Sequence, residues 1–365
     1  MLFYLNYFCS YITMLKTQHL TIGYPSKIIL ENLNLHLEKG KLTALLGING
    51  AGKSTLLRTI AGVQKPILGD VFLRYNNSQK TKEKSIQKLS KKEIAKKISL
   101  VLTEQAATTR LTVRELIALG RYPHTGWNGN FDKQDEKMID WALEAVSMNE
   151  YADIPIGELS DGLRQKTMIG RALTQEGDIL LLDEPTAHLD LVNRSEVMLL
   201  LSQIATEFDK AILVSTHELD LILQIAHKLW LISSNNDIEK KLNQKGKSQH
   251  RKLLVGLTEE MVLNGELANI FVRPPLYFDR EKGNFKIQNK KQKATFFIEG
   301  DSIGTYWTKI ALEKQGIYSE IINKNNSFLE NNLIVKVNRK SENTWQWIFN
   351  EKIFESLKEF LRSII

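Results

Sequence analysis

Three short stretches carry side chains suited to polyphosphate chemistry. "GINGAGKST", Gly47 to Thr55, fits the pattern G-x-x-x-x-G-K-[ST]. Its glycines let backbone N–H groups curl around phosphates, so the cradle is Gly47, Ile48, Asn49, Gly50, Ala51 and Gly52. Lys53 is placed to neutralise the β- and γ-phosphates. Ser54, followed by Thr55, offers the hydroxyl that an octahedral Mg²⁺ accepts as ligand. "ILLLDEP", Ile179 to Pro185, delivers Asp183 and Glu184 at the end of an apolar run. Asp183 suits the Mg²⁺ shell, and Glu184 suits orienting and deprotonating a water. "ILVSTHELD" places His217 just past another apolar run, where an imidazole can reach a γ-phosphate.

Such residues need elements that bring them to one edge. "KLTALLG", "KISLVL", "DILLLDEP", "KAILVSTH" and "KLWLISS" are short continuous apolar runs between helical segments. They predict buried strands of a largely parallel sheet with helices on both faces. Ligands of such sheets bind outside the C-terminal ends of the strands, where Asp183, Glu184 and His217 fall. The strand pattern stops between Thr103 and Ala172, where "LTVRELIALGRY" and "DEKMIDWALEAVSM" have helical spacing. After about Pro274 the texture turns polar. There "KATFFIEG" and "LIVKV" read as strands, "TYWTKIALEKQG" as a helix ending at Gly316, and "EKIFESLKEFLRSII" as a final amphipathic helix. "GDSIGTYW" reads as a tight strand–helix turn rather than an anion loop, and Trp307, Trp345 and Trp347 are expected in the core.

A fourth stretch narrows the class. "LSDGLRQK", Leu159 to Lys166, is a loop entering a helix, with Ser160 and Gly162 at the turn. With the three motifs above, in that order and spacing over about Leu15 to Val272, it resembles the signature of ABC-type ATPases, usually LSGGQ. The resemblance implies a RecA-like, mostly parallel α/β core, an antiparallel β subdomain and a helical signature subdomain at about 104–172. It also implies a head-to-tail homodimer, with ATP between the phosphate loop of one subunit and Ser160 and Gly162 of the other. Tyr24, in "LTIGYPSK", is implied as the aromatic that stacks on adenine, and Asp190, closing "AHLD", as part of the loop that communicates across the dimer. Two stretches depart from the family. Asp161 replaces the first signature glycine and Leu163 the glutamine. At the end of "KISLVL", where the family places a Mg²⁺-contacting glutamine, stand Thr103, Glu104 and Gln105. Glu104 falls at about its place, and Gln105 serves instead after a one-residue slip.

"LTVRELIALGRYPHTGW", Leu111 to Trp127, resembles the matching segment of importer ATPases for ferric siderophores, haem and vitamin B12. Leu116, Ile117 and Leu119 also read as core positions. The resemblance implies ATP and Mg²⁺ as cofactors and separate permease subunits. It further implies a substrate-binding protein, and a peripheral place on the cytoplasmic face of the plasma membrane. The domains expected are an N-terminal extension at 1–13, disordered or a start-site artefact, the ATPase at 14–273, and an α+β appendage at 274–365.

Composition agrees with a globular ATPase. Of 365 residues, 42% are hydrophobic and 25% charged, which is ordinary for a folded chain. The lone Cys9 excludes an intramolecular disulfide framework and fits a reducing compartment. No apolar run approaches the roughly 20 residues of a membrane span. The +7 charge gathers in "QKTKEKSIQKLSKKEIAKK" and "EKKLNQKGKSQHRK". These lysines alternate with glutamates and lack interleaved aromatics, so they read as solvated surface and no nucleic-acid partner is expected. A soluble ABC ATPase acting on nucleic acid or ribosomes is the competing reading. Its usual tandem cassettes and long coiled-coil insertions are not visible.

Overall fold

The computed structural model describes residues 12–77, 80–102, 110–125, 130–233, 251–272, 275–280, 282–287, 296–322 and 333–364. β1 (Thr13–Tyr24), β2 (Lys27–Leu33) and β3 (His36–Glu38) open the chain, and β4 (Leu42–Gly47) leads into α1 (Lys53–Ile60). β5 (Leu68–Asn77), β6 (Lys80–Ser85), α2 (Lys91–Ala95) and β7 (Ile98–Val101) follow. β2, β1, β5 and β6 form an antiparallel sheet in that order, with β3 added to β1. β1 starts one residue ahead of Met14: Thr13 pairs with Glu38, and the Ile12 carbonyl accepts from Lys39 N–H at 2.9 Å.

α3 (Val113–Ala118), α4 (Lys133–Ala145) and α5 (Asp161–Leu173) fill the region where strand signals cease. Each begins at a polar cap. Thr112 with Glu115 and Asp132 with Asp135 form reciprocal capping boxes, and the Ser160 hydroxyl accepts from Leu163 N–H. The chain then alternates β8 (Ile179–Asp183), α6 (Leu191–Glu207), β9 (Ala211–Ser215), α7 (Leu219–Ile225) and β10 (Lys228–Ile232), with β11 (Leu253–Leu257) after residues 234–250.

The central sheet runs β11-β10-β4-β9-β8-β7, parallel except for β11. Its strands are apolar on both faces because each face carries a core. Leu180 and Leu182 of β8, with Ile212 and Val214 of β9, point into one core, together with Ile117, Ile139 and Ile169 of the helical region. Ile179, Leu181, Ala211 and Leu213 point the other way, toward α1 and the antiparallel sheet. Leu116 and Ile117 are buried and Leu119 packs beside them.

The chain divides into two compact units, Met1–Arg273 with Tyr277–Lys286, and Pro274–Leu276 with Ile287–Ile365. In the first, α8 (Thr258–Leu263) and α9 (Glu266–Phe271) precede the Tyr277–Lys286 part of a hairpin of β12 (Leu276–Asp279) and β13 (Asn284–Ile287). Phe278 and Phe285 of this hairpin, with centroids 4.9 Å apart, pack on the unit's core.

The second unit is α+β. It contains β14 (Phe296–Gly300), α10 (Ser302–Lys314), β15 (Ser319–Ile321), β16 (Leu333–Ser341), β17 (Thr344–Phe349), β18 (Lys352–Phe354) and α11 (Leu357–Ile364), with sheet order β15-β14-β16-β17-β18. Gly300, at φ 130°, turns the chain, and Asp301 caps α10 through Ile303 and Gly304 N–H and accepts from Trp345 Nε1 at 2.9 Å. That is the tight strand–helix turn expected. Trp347 is buried on Thr308, but Trp307 is exposed, against expectation, because it lies on the outer face of α10. The final helix is also shorter than expected. Asn350 and Glu351 both have positive φ, 49° and 63°, and fold Lys352–Phe354 back onto β17 as a hairpin strand.

Candidate functional site

The phosphate-type loop joins β4, buried along its whole length, to α1. Gly50 (φ 70°) and Gly52 (φ 106°) hold left-handed backbone that side chains resist. A Cβ on Gly52 would sit 2.4 Å from Ile29 Cγ2 of β2, so the glycine also permits close packing. Gly52 caps α1 without a side chain, and the first turn holds no acid. Its backbone donors therefore remain suited to an anion.

Lys53, at the start of α1, is buried and reaches back across the loop. Its Nζ donates to the Gly47 carbonyl at 3.1 Å and lies 3.0 Å from His217 Nε2 and 3.5 Å from Glu184 Oε1. Burial pushes the ammonium below the ordinary lysine range, against the opposing pull of Glu184 and Asp183. His217 Nε2 is also 3.0 Å from Glu184 Oε1. One ring nitrogen cannot accept from Lys53 and donate to Glu184 at once, so the tautomer decides which bond exists. The three residues predicted from separate motifs thus meet at one point.

Glu184 sits in left-handed backbone, φ 48°, ahead of Pro185, a strain of about 1–3 kcal/mol for a non-glycine residue. Ser215 holds it there. Glu184 N–H bonds to both the Ser215 carbonyl and Oγ at 3.0 Å, while Ser215 Oγ donates to Asp183 Oδ1 at 2.6 Å. The register of β8 against β9, Asp183 opposite Ser215, makes this possible. Ser215 was not singled out from the sequence. The available signal was a hydroxyl ending the otherwise apolar "AILVS", two residues before His217. Ser215→Ala is expected to cost about 1.5–3 kcal/mol, as for a buried bond to a charged group, read as a lower urea midpoint.

Ser54 and Asp183 are both oxygen donors and fit a hard divalent cation. Among the described residues no group of three or more His, Cys, Asp and Glu can hold a metal alone. A cation at this place would complete its shell with phosphate oxygens and water. Glu104, the third expected ligand, and its alternative Gln105 lie outside the described residues.

Tyr24 closes the β1–β2 hairpin, half exposed, opposite Lys27. Gln64, beyond α1, donates to the Gly23 carbonyl at 2.7 Å and ties this hairpin to the helix of the phosphate-type loop. The signature turn engages a different neighbour. A Cβ on Gly162 would stand 2.4 Å from Asn193 Oδ1, so only glycine admits α6 this closely. Asn193 in turn donates to Asp190 Oδ2 at 2.9 Å, and its N–H donates to Oδ1 at 2.8 Å, bonds that hold the Asp190 carboxyl below its usual range. Asp161 Oδ1 accepts from Arg164 Nη1 at 3.0 Å.

A buried parallel sheet, a glycine loop opening a helix, and a lysine, an acid and a histidine converging at the strand ends define a P-loop nucleotide hydrolase. The family model described as ABC transporter matches residues 30–187. The chain is 35% identical to an uncharacterised ABC transporter ATP-binding protein of Methanocaldococcus jannaschii, covering 80% of this chain and 93% of that one. It is 39% identical to the iron(3+)-hydroxamate import ATP-binding protein FhuC of Bacillus subtilis, covering 62% and 81%. Among solved structures it is similar to a dimeric ATP-binding cassette in a post-hydrolysis state with ADP and phosphate. That likeness has TM-score 0.50 and 26% identity, over 60% of this chain and 94% of that one. The chain belongs to the ATP-binding, ATP-hydrolysing subunits of ABC transporters.

Proposed function

We propose that this subunit powers import of an iron chelate, with haem or a cobalamin-type molecule as the neighbouring cargo classes, through separate permease subunits. The observation that carries its catalytic part is the meeting of Lys53, Glu184 and His217 within 3.0–3.5 Å at the phosphate-type loop. The iron(3+)-hydroxamate importer relative supports the cargo class.

In this reading ATP lies along Gly47, Ile48, Asn49, Gly50, Ala51, Gly52, Lys53, Ser54 and Thr55, with Tyr24 stacked on adenine. Ser54 and Asp183 would hold Mg²⁺, which would neutralise phosphate charge when bound, and Glu104 would join them. Glu184 takes the proton of the attacking water. His217 orients it and contacts the γ-phosphate. Ser160 and Gly162 complete the site of a second copy, and Asp190 relays its state across the homodimer. A substrate-binding protein delivers cargo, and the subunit is peripheral at the cytoplasmic face. No helix among the described residues is long and apolar enough to cross a membrane.

The cargo is tested by deleting the gene and supplying a ferric hydroxamate as sole iron source. Loss of radioiron uptake, restored by the wild-type gene but not by Lys53→Ala, is expected. Undiminished uptake of every iron chelate, haem and cobalamin would overturn it.

The pair to Arg164 turns Asp161 along its own helix, so the acid is proposed to leave the ATP sandwich unhindered. Asp161→Gly is then expected to change ATP-driven dimerisation by no more than about fivefold, the scale of an exposed pair. A much tighter dimer by analytical ultracentrifugation would instead make Asp161 a brake.

A further inference from the structure

Arg251 has no part in the reading above, yet it reaches the phosphate-type loop. Its backbone is held from two sides. It bridges Leu30 of β2, and the next residue, Lys252, accepts from Ser233 N–H at 2.9 Å at the end of β10. From this fixed position Arg251 Nη1 donates to the Gly50 carbonyl. The other end of that peptide unit is also engaged: Ala51 N–H donates to the Ile48 carbonyl at 3.0 Å. Both polar ends of the 50–51 peptide are therefore tied.

This matters because Gly50 has no side chain to pack, although its neighbour Ala51 is buried. Among the described residues no atom lies within 4 Å of where a Cβ on Gly50 would be, whereas a Cβ on Gly52 would meet Ile29. Gly50 and Gly52 are both left-handed, so glycine's wide conformational freedom stands on either side of the buried Ala51. A loop that must find its anion-binding shape on binding loses affinity to that ordering. The guanidinium is planar and permanently charged, and its bond to a carbonyl is charge-assisted, stronger than a neutral one.

We propose that Arg251 is a positioning residue that holds the phosphate loop in its binding shape before nucleotide arrives. The proposal rests on the reading of Gly47 to Thr55 as the nucleotide's phosphate loop. It concerns affinity and loop order, since the carbonyl it holds takes no part in hydrolysis.

The test uses the full-length chain carrying Arg251→Ala and Arg251→Lys. With Arg251→Ala, KM for ATP is expected to rise about tenfold while kcat stays within about twofold. Without nucleotide, amide hydrogen exchange across residues 47–52 is expected to quicken, and saturating ATP should remove that difference. Arg251→Lys, which keeps a cationic donor, should recover at least half of the lost affinity on a logarithmic scale. Should Arg251→Ala fail to fold, Arg251→Gln takes the same measurements. Unchanged exchange, or a fall in kcat with KM unmoved, would overturn the proposal. The exchange arm needs no nucleotide. Quickened exchange in a protein that binds no ATP would leave the anchor standing and remove the nucleotide reading.

Discussion

Glu184→Gln is expected to lower kcat for ATP hydrolysis by about 10²–10⁴-fold, the range of a lost general base, while ATP affinity changes only a few-fold. The amide is isosteric, so the left-handed turn at φ 48° and the bonds from Glu184 N–H to Ser215 persist. What disappears is the capacity to take a proton at Oε1, the atom 3.0 Å from His217 Nε2. Lys53 also loses its charged neighbour at 3.5 Å, and Asp183 remains as the nearby acid. With ATP bound and not consumed, a closed homodimer should accumulate on gel filtration in Mg-ATP. Single-turnover kinetics separate the two roles of the side chain. Turnover within tenfold of wild type would remove Glu184 as the base.

The second large effect is expected in stability. Arg121, in the importer-like "GRYPH", is 3% exposed and tied three ways. Nε donates to Asp135 Oδ1 at 2.7 Å, and Nη1 donates to the Thr174 carbonyl at 2.7 Å and to Glu176 Oε2 at 2.6 Å. It joins the start of α4 to the end of α5, so it fixes the helical region on the core. Arg121→Met leaves Asp135, itself buried, as an unmatched charge, and breaking such a pair costs about 3–5 kcal/mol. Arg114 is the control. Its bonds to Glu136 and Asp140 are equally short, 2.7 Å, but lie in solvent, and Arg114→Ala is expected to cost about 0.2–1 kcal/mol. Urea denaturation of both variants gives the comparison; equal midpoints would show that burial does not decide the strength.

The same pair has a pH signature. Desolvation by itself raises the Asp135 carboxyl, but the Asp132 N–H and the Arg121 guanidinium outweigh it and hold the group below the ordinary aspartate value. A lowered folded-state value means that the unfolded chain binds the proton more readily. The pair's stabilisation is present in full above the ordinary value and drains away as pH falls through the lowered one. Arg121→Met should therefore flatten the acid limb of the stability profile as well as lower its plateau.

Much of the catalytic constellation was legible in the sequence because it is local. A buried strand, a glycine loop and a helix fix Lys53 and Ser54 within one stretch, and Asp183, Glu184 and His217 each end an apolar strand. Parallel strands release their C-terminal ends at one edge, so the convergence followed from strand type. The helical region was readable for a similar reason: its caps and its 3.6-residue periodicity are written in consecutive residues. The terminal hairpin was not, because the turn at Asn350 and Glu351 lacks the glycine that marks paired positive φ, and Lys352–Phe354 continues a helical pattern.

The positions that only the tertiary structure decided are those set by neighbours remote in sequence. Ser215 meets Asp183 through strand register, a choice of pairing that no single strand contains. Gly162 is needed because Asn193 of another helix stands where its Cβ would be. Arg251 reaches Gly50 from about two hundred residues away because β11 lies in the same sheet as β4, and its contact has no local pattern. Residue type and spacing thus determined which groups can do the chemistry. Sheet order, register and close packing decided which other groups hold them, since those depend on contacts between segments and not on the periodicity within one.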